Sequence, residues 1–374
     1  MSKVVLIGGA GAPNYGDELI VKGWIDFFKE QLPGSTVTLY ENIADKEKKL
    51  HGETRNIKFK DDLVKVAKSF SEIGFWEQVL RGYHFIDNGG VEKYHQFDLK
   101  PFFEADIVHL HGGGYLNNYD PEKGFYIGFL ASLKEKYGKK IVATGIGFGP
   151  APEPKKEQLE LLNNIFAHYH AFELRDVDNF RWLKSKFTNG HFVNGLDDCY
   201  LYAITDIVKK DNSKKRLYLS FLAYNLNKVT SEYWDNLQAF SATFDEVLFF
   251  ESYPWQDNEV FDIVKKKIPA AQKLVIKDSL YKKINVGPDD FAICARFHVH
   301  FILARAGVNG IYSKDSKYYN VKHQSIVDRG SDMKFTDFAQ FSPPVVTEKE
   351  AYIAQQDVCL HEQKLGFCQS LYLP

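Results

Sequence analysis

The sequence predicts an α/β fold of two doubly wound, Rossmann-like domains with a cleft between them. Three observations point there. Short unbroken apolar runs, such as Val4-Val5-Leu6-Ile7 and Phe291-Ala292-Ile293-Cys294, recur along the chain. Strands read this way, without alternation, when a parallel sheet is covered on both faces. Most runs are followed by a helical segment, several across a glycine-rich turn. Near the middle, Lys209-Lys210-Asp211-Asn212-Ser213-Lys214-Lys215-Arg216 holds no apolar residue. It reads as a solvated linker, after which the alternation restarts. The domains expected are 1–208 and 216–345. A tail, 346–374, is expected to carry a helix over 348–363 that packs back on the first domain.

The elements follow in order. A strand over 4–8 leads through the turn Gly9–Gly16 to a helix over 17–31, which Pro33-Gly34 ends. A strand is expected over 36–40. The stretch 42–98 is ambiguous, with helical signals over 62–70 and 72–80. A strand over 106–111 ends in Gly112-Gly113-Gly114, and a helix follows over 126–137. Strands over 141–145, 171–174 and 191–193 alternate with helices over 155–168 and 176–187. In the second half, strands are expected over 217–222, 246–250, 273–276, 291–295 and 308–312. Helices are expected there over 231–244, 257–267 and 298–306. In such folds ligands bind at the carboxyl ends of the strands.

The chain has 374 residues, enough for two domains of roughly 100–200 residues each. Lys and Arg number 47 against 49 Asp and Glu, so no basic excess points to nucleic acid. The 30 Phe, 21 Tyr and 5 Trp read mainly as core, with an exposed ring near the cleft suited to stacking on a sugar face. The four cysteines, Cys199, Cys294, Cys359 and Cys368, form no CxxC pair and no zinc spacing, which suits a reducing compartment. The first apolar run is far shorter than the ~18 residues of a membrane span. The cytoplasm is the expected compartment, with contact at the inner face of the membrane left open.

Five segments could carry chemistry. Gly8 to Glu18 follows a strand and opens a helix, where backbone N–H groups and the helix dipole favour an anion. Its Pro13-Asn14-Tyr15 breaks the dinucleotide spacing, no Gly-Lys-Ser/Thr follows, and a plain tight turn with Asp17 as helix cap is the competing reading. Gly112-Gly113-Gly114-Tyr115-Leu116-Asn117-Asn118 permits close backbone approach, or is a crowded turn. His109 and His111 share a strand face and read as core histidines before a metal pair. Arg175 ends a strand, where its planar fork can hold carboxylate or phosphate; a pair with Glu173 or Asp176 is the alternative. In Ala295-Arg296-Phe297-His298-Val299-His300, a buried strand delivers Arg296 and His298 to a helix start. A histidine there can move protons near neutral pH beside an anion-holding arginine. His300 reads as structural.

The ordered set Asn14-Tyr15-Gly16-Asp17-Glu18, Gly112-Gly113-Gly114, Gly145-Ile146-Gly147-Phe148-Gly149-Pro150, Leu174-Arg175-Asp176 and Arg296-Phe297-His298 resembles the polysaccharide pyruvyl transferase family. Asp197-Asp198 is similar to the family's Asp-Pro element with Pro replaced. Tyr312-Ser313-Lys314-Asp315-Ser316-Lys317 is similar to its strand-then-Lys segment. Phe297 stands where a leucine is common. The resemblance implies a GT-B-like fold and phosphoenolpyruvate as co-substrate, with no other cofactor and no metal. It further implies a sugar acceptor, lipid-linked, nucleotide-linked or free, and a role in exopolysaccharide, capsule or cell-wall glycan synthesis. His298 would be the catalytic residue. Arg175, Arg296, Phe297, Gly113 and Gly114 would bind phosphoenolpyruvate, and Asn14, Tyr15, Asp17 and Asn117 would line the acceptor side. Two rival readings share the fold: a glycosyltransferase using a nucleotide sugar, and a non-catalytic sugar-binding member. Oligomeric state is left open.

Overall fold

The computed structural model describes residues 2–70, 73–313, 317–337, 341 and 351–373. The chain divides into two compact units. The first takes in Met1–Ala12, Ile20–Leu201 and Lys364–Pro374, and the second Pro13–Leu19 and Tyr202–Gln363. Lys314, Asp315 and Ser316, the middle of the strand-then-Lys segment, lie outside the described residues, as do positions 348–350 of the expected tail helix.

Strands of the first unit are β1 (Lys3–Ile7), β2 (Thr36–Tyr40), β3 (Ile57–Lys60), β4 (Ile107–Leu110), β5 (Gly113–Leu116), β6 (Lys140–Phe148), β7 (Ala171–Leu174) and β8 (Phe192–Asn194). They form one parallel sheet in the order β3-β2-β1-β4-β6-β7-β8, with β5 also paired to β6. The winding direction reverses between β1 and β4, the switch point at which open α/β sheets hold ligands. Every residue of β4 and β7 is buried, His109 and Glu173 included, as expected of central strands covered on both faces. Helix Gly124–Tyr137 packs Phe125 and Phe129 edge-on against Phe85, with Phe102 on Phe129.

Two strands of this sheet escape the sequence patterns. In β3, Ile57 and Phe59 point inward while Lys58 faces out, a short edge strand with only two apolar residues to signal it. β5 begins at Gly113 and Gly114, which read as turn residues. It forms because β6 is nine residues long: β4 pairs with its first half and β5 with Ile146 and Phe148 further on.

Strands of the second unit are β9 (Val208–Lys210), β10 (Arg216–Ser220), β11 (Glu246–Phe250), β12 (Ala271–Leu274), β13 (Ile284–Val286), β14 (Phe291–Cys294), β15 (Asn309–Tyr312) and β16 (Lys334–Phe335). Six form a parallel sheet, β12-β11-β10-β14-β15-β16, and β13 pairs with β9. The reversal here lies between β10 and β14. The core is built from Leu217, Leu219, Phe249, Phe291 and Ile293 of the strands with Trp234, Leu237, Val260 and Val264 of the helices.

The polar run 209–216 is corrected by these strands. Lys209 and Lys210 pair in parallel with Asn285 and Val286, so the run is not one solvated loop. Arg216 opens β10 with its side chain buried, held by Asp211, Glu246 at 3.1 Å and Asp290 at 3.8 Å. Carboxylates on three sides let a charge enter a core that composition alone would place in water.

The tail also differs from expectation. Its helices are Tyr352–Gln355 and Asp357–Tyr372, so the long one runs past Gln363 and through Gly366. Lys364, Cys368 and Leu371, at four- and three-residue spacing, form a buried face. That burial outweighs the ~1 kcal/mol cost of one exposed glycine in a helix. Among the described residues no helix is long and apolar enough to cross a membrane.

Candidate active site

At the carboxyl ends of the first unit's strands, charge is buried in matched sets. Glu41, just past β2, accepts from Ala10 N at 2.8 Å and pairs with His111 at 2.6 Å. Burial opposes a charge on His111, but Glu41 raises its pKa above the ordinary histidine value. Asn42 donates to Gly9 O at 2.5 Å and receives the Lys123 ammonium. Lys123 also donates to the Tyr126 hydroxyl at 3.0 Å, and burial brings its pKa down to about 8. His109 bonds to Thr144 Oγ1 at 2.8 Å and to the Tyr372 hydroxyl, and burial pushes it down to about 3. Both histidines are thus hydrogen-bonded core groups.

Asp198 is the hub. Its Oδ2 accepts from Gly112 N at 2.8 Å, Trp24 Nε1 at 2.8 Å and Thr144 Oγ1 at 2.9 Å. Its Oδ1 lies 2.6 Å from Lys364 Nζ, which also reaches Glu173 at 2.5 Å and Leu196 O at 3.0 Å. Burial opposes the charge on Asp198, yet Lys364 leads the groups that hold its carboxyl below the usual range. Gly145, at φ +57°, passes so close that a side chain would meet Asp198 Oδ1 at 2.3 Å.

The expected donor residues of this unit sit around that hub. Arg175 is buried and its Nη1 pairs with Asp197 at 2.7 Å, while Glu173 takes the Lys364 ammonium. Asp176 instead caps the following helix by accepting from Asn179 N at 2.9 Å. Of the triple glycine, Gly112 is tied to Asp198 while Gly113 and Gly114 are strand residues of β5. Asn117 donates to Gly114 O at 2.8 Å and accepts from Tyr119 N at 2.7 Å, a turn-forming role.

In the second unit the switch point brings other expected residues together. Ala295 N bonds to Ser220 O at 2.8 Å, continuing β14, and Arg296 then takes extended backbone angles before helix Phe297–Arg305. Asp257, 1% exposed, holds the Arg296 Nη2, while Gln256 Oε1 lies 3.4 Å away and the Tyr253 ring 5.8 Å from the guanidinium carbon. Arg296 Nε is buried and has no hydrogen-bond partner among the described residues. Asp257 also accepts from Ser252 N and Tyr253 N, each at 2.7 Å. Ser252 O in turn accepts from Tyr15 N at 2.8 Å, and the Tyr15 ring meets Phe250 edge-on at 4.9 Å.

Helix Tyr15–Gln31 therefore starts two residues earlier than the sequence suggests. Asp17 lies within its first turn and is not the cap; Asn14 Oδ1 accepts from Gly16 N at 3.3 Å. Gly16 faces His298, whose Nδ1 would be 1.7 Å from a methyl group placed there. His298 is half-buried and its ring meets Phe297 edge-on at 4.7 Å. Phe297 stacks on Phe301 in the core, so its side chain is a packing group. His300 is fully buried between His323 at 2.9 Å and Ser331 at 3.0 Å, a structural position.

Sequence reasoning did not single out Asp257, Glu41, Lys123 or Lys364. Lys364 had a signal, a lysine on the same helical face as Cys368 and Leu371. Asp257 had none, because a carboxylate in a first helical turn is ordinary.

A model of the family described as polysaccharide pyruvyl transferase matches residues 14–292. The match takes in Asn14 to Asp17, the triple glycine and Arg175, and stops short of Arg296 and His298. No protein of curated function matches in sequence. Among solved structures, one described as a UDP-N-acetylglucosamine 2-epimerase from Listeria monocytogenes is similar at a TM-score of 0.50 and 11% identity, covering 98% of this chain and 91% of its own. A second UDP-N-acetylglucosamine 2-epimerase gives 0.51 and 13%, covering 98% and 90%. At such identities the likeness shows the fold alone, two Rossmann-like units of the GT-B-like class.

Proposed function

We propose a reaction for this chain, which belongs to the polysaccharide pyruvyl transferase family: it moves pyruvate from phosphoenolpyruvate onto two hydroxyls of a sugar, forming a cyclic ketal and releasing phosphate. Beyond the family, one observation carries the reading. Arg296 lies at a strand-end switch point with a buried Nε that has no partner among the described residues, two residues before a half-buried histidine. A donor with a carboxylate and a phosphate needs such an anchor, and its methylene carbon needs a proton.

The chemistry assigns the roles. His298 delivers a proton to the methylene carbon, which becomes a methyl group and leaves the adjacent carbon electrophilic. One sugar hydroxyl attacks that carbon and gives up its proton. The C–O bond to phosphate breaks, and the second hydroxyl closes the ring. Of the two hydroxyl protons, one replaces the proton spent on the methyl carbon and the other leaves with phosphate. Arg296 holds the donor anion as charge shifts to the phosphate. Arg175 is a proposed further anion anchor. Trp255, 52% exposed and 5.6 Å from Tyr253 in edge contact, is a proposed platform for the acceptor ring.

The test is incubation of the purified protein with phosphoenolpyruvate and a panel of nucleotide-linked, lipid-linked and free sugars. A product heavier by one pyruvate less one water, with matching phosphate release, is expected. Release of a nucleotide from a nucleotide sugar, with phosphoenolpyruvate untouched, would instead identify a glycosyltransferase.

A further inference from the structure

The Arg296 backbone caps the helix it precedes, its carbonyl accepting from His300 N, but its guanidinium is held from elsewhere. Its Nη2 is bound by a carboxylate from helix Pro254–Lys267, which follows β11, so the contact spans β10 between the two strand ends. Asp257 makes that contact with Oδ1 while Oδ2 takes the two backbone N–H groups of Ser252 and Tyr253. With both oxygens occupied and the residue 1% exposed, the carboxylate cannot turn without breaking charge-assisted bonds in a dry site. A guanidinium is planar, so fixing Nη2 fixes the direction of Nε and Nη1 as well. The Tyr253 ring beside it limits the remaining rotation. The same carboxylate orders Ser252, whose carbonyl holds Tyr15 N, and Tyr15 precedes the Gly16 that lies against His298.

We propose that Asp257 is the positioning residue of the donor site: it aims the free edge of Arg296 at the donor anion and, through Ser252 and Tyr15, ties that aim to the segment packed on His298. Asp257 touches neither donor nor acceptor and acts only through these neighbours. The proposal rests on the donor reading above. It assigns to Asp257 the pre-organisation without which a long cationic side chain binds an anion in many orientations, few of them reactive.

The experiment is a cycle of variants read by calorimetric titration with phosphoenolpyruvate. Asp257→Asn keeps the shape and an oxygen for the backbone donors but removes the charge that holds Arg296. It should weaken phosphoenolpyruvate binding by about ten- to a hundredfold, with little change in melting temperature. In an Arg296→Lys background the same change should cost about twofold or less, because the planar group it aims is gone. An equal loss in both backgrounds would mean that Asp257 is only a helix cap, and unchanged affinity would overturn the proposal outright. Asp257→Glu, which keeps the charge but moves it by one methylene, serves the same cycle if the amide fails to fold. If the wild-type protein does not bind phosphoenolpyruvate, the proposed reaction falls separately. The Nε–H resonance of Arg296 in the nitrogen–proton spectrum then decides: a distinct signal that shifts or broadens in Asp257→Asn supports positioning, and an unmoved one refutes it.

Discussion

The two units finish their central strands in opposite ways. In the first, Glu41, Glu173, Asp197 and Asp198 are all buried, and His111, Lys364 and Arg175 are bonded to them. In the second, the switch point carries the Arg296–Asp257 pair, a buried Nε with no partner among the described residues, and a half-buried histidine. Buried carboxylates bonded to buried cations make a rigid floor, since these charges are already bonded to one another. A cation with an unspent donor beside a half-buried histidine can still act on something else. Stability should therefore be concentrated in the first network and proton chemistry in the second.

The largest effect expected on stability is at Lys364. Lys364→Met leaves Glu173 and Asp198 buried with their shared ammonium gone, and breaking a buried pair in this way costs about 3–5 kcal/mol. Denaturant melts should show it as a fall in midpoint. A loss under 1 kcal/mol would mean that the network is not what holds the first unit's strand ends.

His298→Ala should do the reverse. Melting should be nearly unchanged, while phosphate release with a competent acceptor falls by about 10²–10⁴-fold. Near wild-type turnover in this variant would move the proton chemistry elsewhere and erase the contrast between the units.

Gly16→Ala tests the same contrast from its packing side. The added methyl would collide with His298 Nδ1, so the ring must shift. Forced packing of this kind costs about 1–3 kcal/mol. Turnover should suffer more than stability, because the displaced group is the proposed proton carrier. Equal turnover with a lowered melting point would show that the ring position against Gly16 is structural.

Much of this was legible beforehand and the remainder hidden for physical reasons. Runs such as Val4–Ile7 and Phe291–Cys294 announce buried parallel strands, because both faces are covered and no polar residue interrupts. Arg296 and His298 were legible because a strand end followed by a helix start is a place, not only a composition. Edge strand β3 was not, since two apolar residues alternating with two lysines carry too little period. The run 209–216 misled because charge implies solvent unless partners are known, and those of Arg216 lie 5, 30 and 74 residues away in sequence. Lys364 and Asp198 are separated by 166 positions (364 minus 198), so neither announces the other. Asp257 hides for the same reason, its partner Arg296 lying 39 residues further on.

The smallest effect expected is the pH dependence of two buried histidines, one in each unit. His111 is raised above its ordinary value because Glu41 overcomes the effect of burial. A base whose folded pKa is raised contributes stability that is fully present below its unfolded value near 6.5 and is lost as pH rises through the folded one. His300 is pushed well below 6.5 by burial, with His323 adding to the shift. Its neutral form fits the core, so its contribution is full above 6.5 and falls as the pH drops and only the unfolded chain gains a proton. Each contribution changes by at most about 1.4 kcal/mol per pH unit. The substitutions should therefore trend oppositely. The cost of His111→Gln should be greatest in mild acid and shrink toward alkaline pH. The cost of His300→Gln should be greatest at neutral and alkaline pH and shrink toward pH 5. Measuring each variant against the wild type at the same pH cancels the other titrating groups, Lys123 and His109 among them. If both costs move in the same direction, the pairing of His111 with Glu41 does not govern its charge, and the first unit would lose one of the matched sets that distinguish it from the second.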